Sequence, residues 1–64
     1  MNSLIKSIET VSINKGHNVR LRMKDGREFT GSYPYTLHQA QVYADSLRRD
    51  TRNFSEVDFI NFSI

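Results

Sequence analysis

Apolar and cationic residues alternate strictly through Val19-Arg20-Leu21-Arg22-Met23-Lys24, the period of a strand buried on one side only. Asp25-Gly26 follows as a turn signal, and beyond it Phe29 and Tyr33 stand in one phase of residues 27–33. The faces decide the register, because directly opposed residues share a side of the sheet. A two-residue Asp25-Gly26 loop would set Met23 against Glu28 and Arg22 against Phe29. A three-residue Lys24-Asp25-Gly26 loop instead pairs Leu21 with Phe29 and Arg22 with Glu28. It also puts Gly26 at the left-handed position such loops require. Upstream, an Asn14-Lys15-Gly16 loop would pair Val11 with Val19 and Ile13 with His17. Together these predict a three-stranded antiparallel meander over 8–13, 17–23 and 27–33. The start is open to a second reading: Leu4, Ile5, Ile8 and Val11 also fit helical spacing, so residues 3–8 allow a helical turn.

After Pro34 the period changes. Thr36 and Gln39 have the spacing of a capping box, and Leu37, Ala40, Ala44 and Leu47 recur as a helical stripe flanked by Tyr43. Arg48, Arg49 and Arg52 gather at the far end, where cations suit the helix dipole. The spacing predicts a helix over 36–50. The last stretch, 57–64, reads as a strand by composition, but its phase is split: Val57 and Phe59 share one parity, Ile60, Phe62 and Ile64 the other. Either a bulge resets it or both faces are covered. The predicted fold is α+β, a small β-β-β-α-β sheet with one helix on one face. Its expected core is Ile8, Val11, Ile13, Val19, Leu21, Met23, Phe29, Leu37, Ala40, Ala44, Leu47, Ile60 and Phe62.

One helix covers one face. The other would carry Arg20, Arg22, Glu28, Thr30 and Thr10, together with whichever apolar pair the phase split sends there. That makes it a candidate binding face, with Arg20, Arg22, Lys24, Arg27, Tyr33, Tyr35 and Phe59 as candidate contact residues.

At 64 residues, one domain is expected over 1–64, with a marginal core. The chain has no cysteine, hence no disulfide framework and no thiolate metal site. A small domain without such staples is often stabilised by association, so a homodimer, or a module steadied by its partner, is expected. Apolar runs are too short to span a membrane, and residues 1–9 lack a signal peptide's apolar core. A cytoplasmic location is therefore expected. The net charge of +2 permits an anionic partner without requiring one.

Catalytic chemistry is not indicated. His17 and His38 share no metal-ligand spacing, the serines form no nucleophile elbow, and the acidic residues form no paired-carboxylate motif. No enzyme activity, metal or cofactor is expected. Nucleic acid is the alternative to a protein partner: the cations of 20–24 make a basic stripe, and Tyr33 and Tyr35 offer stacking surfaces. Glu28, opposite Arg22, offsets part of that charge.

Two resemblances bear on function. Residues 19–33 (VRLRMKDGREFTGSY) resemble the first motif of Sm-like and SH3-like barrels, and 57–64 (VDFINFSI) resemble their last strand. The helical segment between, and the absence of the second barrel motif, depart from that family. From Val19 onward the order of hairpin, helix opened by Thr-Leu, and final strand is similar to small bacteriophage early proteins that inhibit host RNA polymerase or uracil-DNA glycosylase. This chain's positive charge departs from the acidic glycosylase inhibitors. The likeness implies a stoichiometric inhibitor or regulator of a larger enzyme.

Overall fold

A computed structural model of the chain describes residues 3–63; Ile64 and the first two residues of the expected leaderless start lie outside them. Strands β1 (Ile5–Ile13), β2 (Gly16–Met23) and β3 (Glu28–Thr30) form an antiparallel sheet in that order. Helix α1 (Leu37–Asp50) follows, then a 3-10 turn (Thr51–Asn53) and a second helix, α2 (Glu56–Phe62). The α+β class and the three-stranded sheet stand as expected.

The β2–β3 hairpin takes the register its faces demand, with Leu21 opposite Phe29 and Arg22 opposite Glu28. Gly26 has φ 98°, where a Cβ would strain the backbone. The third strand ends at Thr30, short of the expected 33.

The first hairpin departs from expectation by one residue. Ile13 pairs with Gly16, so the loop is Asn14-Lys15, and Val11 faces Asn18 where Val19 was expected. Lys15 itself takes the left-handed conformation at φ 66°. Gly16 serves another purpose: a Cβ there would lie 2.9 Å from Pro34 and from the Tyr35 carbonyl. The slip sets Thr10 opposite Val19, on the helix side, and leaves Val11 and Ile13 half-buried on the other.

Residues 5–13 are strand throughout, with no helical turn. A bulge between Ile5 and Ser7 sends both Ile5 and Ile8 inward despite their three-residue spacing. His17 lies in β2, within the strand expected over 17–23.

Helix α1 opens on a capping box: the Thr36 hydroxyl accepts from the Gln39 N–H at 3.1 Å, and the Gln39 carboxamide accepts from the Thr36 N–H at 3.0 Å. Ala40, Ala44 and Leu47 are buried against the sheet, whereas Leu37, at the margin of that stripe, is 47% exposed.

The closing segment is a helix, and among the described residues the final strand on which both resemblances drew is absent. Its cap explains why: the Ser55 N–H donates to the Asp58 carboxylate at 2.8 Å, so Ser55 and Asp58 start α2 as a capping pair. The split phase was helical spacing. Phe59 is fully buried and Phe62 half-buried on one side, while Val57 and Ile60 stand 62% and 46% exposed on the other. Ile60 therefore leaves the expected core. Phe59, expected as a contact residue, sits at its centre, stacked on Phe29 and tilted against Phe54 at centroid distances of 6.3 and 5.5 Å.

Candidate functional site

The candidate contact residues separate into two groups at opposite ends of β2. Near the Met23 end Arg22 and Arg27 are engaged within the chain. Arg22 is ion-paired to Glu9 and Glu28 on the outer sheet face. Its hydrogen bond to Glu9, reinforced by the Glu28 charge, raises the guanidinium pKa. Arg27 reaches Asp25 at 2.7 Å and Glu56 across to α2, with its guanidinium 5.6 Å from the Phe29 ring centroid. Arg20 donates to the Thr30 hydroxyl at 3.2 Å and, like exposed Lys24, makes no ion pair among the described residues. The expected basic stripe is thus broken at its middle.

The Arg27 cluster gives stability a pH dependence. A backbone N–H and the side chain of Arg27 hold the Asp25 carboxyl below its usual range, and the Arg27 hydrogen bond does the same for Glu56. Depressed carboxyl pKa values contribute stability above the unfolded values, near 4. That contribution is lost as pH falls through the folded ones. The melting temperature should therefore decline below about pH 4, and Arg27→Ala should flatten that decline. An unchanged profile in Arg27→Ala would sink the assignment.

At the other end the chain leaves β3 and crosses back. Gly31 donates to the Val19 carbonyl at 3.1 Å, residues 31–34 bow out, and Tyr35 rejoins β2 by exchanging 2.9 Å hydrogen bonds with His17. The bow frames the buried side chain of Asn18. Its carboxamide N–H donates to the Tyr33 carbonyl and its oxygen accepts from the Val19 N–H, both at 2.7 Å. It supplies the partners that the bowed strand no longer offers.

This route brings Tyr33 and Tyr35 together, ring centroids 4.7 Å apart, and lays Tyr35 edge-on to Tyr43 of α1 at 5.7 Å. Tyr43 continues to Phe62 of α2 at 6.0 Å; burial there, with Tyr35 adding to it, raises its phenol pKa. Beside this aromatic row runs an open groove of about 380 Å³ lined by Tyr35, His38, Gln39, Val42, Tyr43 and Ser46. Tyr33 is 64% and Val42 55% exposed. Sequence reasoning found Tyr33 and Tyr35 but not the α1 side. Within α1 the only trace is positional: 39, 42 and 46 repeat at helical spacing beside the core stripe, with Val42 the one apolar residue among them.

The structure thus joins Tyr33 and Tyr35 to α1, leaves Arg20 and Lys24 apart from them, and removes Phe59 from the surface. Among the described residues no group of three or more His, Asp or Glu side chains is placed to hold a metal ion, and no helix is long and apolar enough to cross a membrane. No family model, curated protein or solved structure matches the chain.

Proposed function

We propose that this chain is a small non-enzymatic binding module that holds a protein partner stoichiometrically in the tyrosine groove. The observation that carries the reading is the apolar, uncharged part of the lining, the rings of Tyr35 and Tyr43 with Val42, continued by exposed Tyr33. Tyrosine-rich patches with few charges at their centre are the composition of protein interfaces. Intramolecular pairing of Arg22 and Arg27 leaves less charge for phosphates, which disfavours nucleic acid. Action as a phage-type inhibitor or regulator of a host enzyme is the finer form of this reading; it draws on the shared order of hairpin and helix.

The test is affinity capture from lysate, with and without nuclease, using wild type, Tyr33→Ala/Val42→Glu and Arg20→Glu as baits. The substituted side chains are exposed or half-exposed, so the fold should persist by circular dichroism. The expected result is a nuclease-resistant protein partner whose recovery falls at least about tenfold with the groove variant and is unchanged with Arg20→Glu. Equal recovery by the groove variant would overturn the site. Loss on nuclease treatment, with binding that falls steeply with salt, would replace the protein partner by nucleic acid.

A further inference from the structure

Strand β1 is an edge strand of nine residues, and its pairing fixes which backbone groups face away from the sheet. Hydrogen-bonded and non-hydrogen-bonded pairs alternate in an antiparallel ladder. The two-residue loop closes on the Ile13–Gly16 pair. Counting back from it, Val11 and Glu9 bond to β2, while Ser12, Thr10 and Ile8 turn their N–H and C=O outward. Two contacts agree with this phase: Arg48 of α1 donates to the outward Ile8 carbonyl at 2.9 Å, and Val19, opposite Thr10, spends its carbonyl on Gly31.

Edges are ordinarily blunted by bulges, lysines, prolines or covering side chains. Here those devices occupy only the first half of the strand. The bulge and Lys6 lie between Ile5 and Ser7, and Arg48 covers Ile8. From Glu9 to Ile13 there is no proline, lysine or bulge, and the single charge, Glu9, is bound to Arg22 on the outer face.

We infer that this half-edge pairs with the same segment of a second copy, antiparallel, about a two-fold axis through Val11. In that register each Thr10 exchanges backbone hydrogen bonds with Ser12 of the partner subunit, so it uses only groups with no other partner among the described residues, and Arg48 keeps Ile8. Val11 meets its own copy on the outer face, and Glu9 falls opposite Ile13, so no like charges are opposed. An axis through Thr10 would instead require both Ile8 carbonyls to abandon Arg48. Tyr35 stands on the opposite side of β2 from β1, so this association is independent of the tyrosine groove.

Sedimentation equilibrium from about 10 μM to about 1 mM tests the inference on wild type, Thr10→Pro, Val11→Lys and Val11→Glu. The Thr10 N–H points away from β2, so proline there leaves the β1–β2 ladder intact; Val11 is half-buried on the open face, and the fold of each variant is checked by circular dichroism. The wild-type mass should rise from 7.5 kDa toward twice that value. Thr10→Pro should weaken association at least about tenfold because it removes the outward N–H donor, and Val11→Lys alone should do so because like charges meet across the axis. A mixture of Val11→Lys and Val11→Glu should regain it. A wild-type chain that stays monomeric throughout, or a mixture no tighter than either variant alone, would overturn the inference.

Discussion

Replacing Phe59 with alanine is expected to abolish the cooperative unfolding transition. The ring is wholly buried and packs on Phe29 of the sheet and Phe54 of the turn between the helices. Buried phenylalanine-to-alanine changes cost about 3–5 kcal/mol, through lost transfer free energy and the cavity left behind. A chain of this size without disulfides has about that much stability in all. Val57 and Ile60 lie one turn or less away on the same short helix, yet both are exposed; their alanine variants should stay within about 0.5 kcal/mol of wild type. Urea titration followed by circular dichroism distinguishes the cases. A Phe59→Ala protein with a transition near that of Ile60→Ala would show that α2 is not part of the core.

The contrast between Phe59 and Ile60 also marks where the sequence was legible. In the second hairpin, strict alternation before Asp25-Gly26 and the phase of Phe29 after it leave one register without mixed faces, and the structure adopts it. The helix at 37–50 announces itself twice, by cap and by stripe. In the first hairpin the usual preference for glycine at a left-handed position misleads. Lys15 takes that conformation, and Gly16 is needed for the close approach of Pro34 and Tyr35. At the C-terminal end, β-favouring composition outweighed spacing; the Ser55–Asp58 cap and the Phe59–Phe62 interval carried the helical signal. For the site, Tyr33 and Tyr35 were legible as aromatic surfaces at and just past the end of the predicted third strand, but their meeting with Tyr43 depends on the bow of residues 31–34. No local pattern encodes that bow except the need to satisfy Asn18.

That need gives the second large effect. Asn18→Ala removes the acceptor for the Val19 N–H and the donor to the Tyr33 carbonyl. The Tyr33 carbonyl keeps the Tyr35 N–H at 3.1 Å, but the Val19 N–H is left buried without that acceptor, at a cost of about 1–3 kcal/mol. Asn18→Asp discriminates further. It keeps an acceptor for Val19 but opposes a buried carboxylate to the Tyr33 carbonyl, so burial and that oxygen should raise the new carboxyl's pKa in the folded state. A raised carboxyl pKa destabilises the fold above the unfolded value and is relieved as the proton returns. Asn18→Asp should therefore gain stability on going from pH 7 to about pH 4.5, a range in which wild type changes little. Gly31→Ala should reach the same network from the other side, since its Cβ would lie 2.7 Å from the Asn18 Cγ. The cost of Gly31→Ala should accordingly shrink in an Asn18→Ala background. Strict additivity of those two changes would mean that the glycine is required for a reason other than the carboxamide it shelters. If the coupling is found, loosening Asn18 should also weaken capture at the tyrosine groove, because the same hydrogen bond that satisfies the bow holds Tyr33 beside Tyr35.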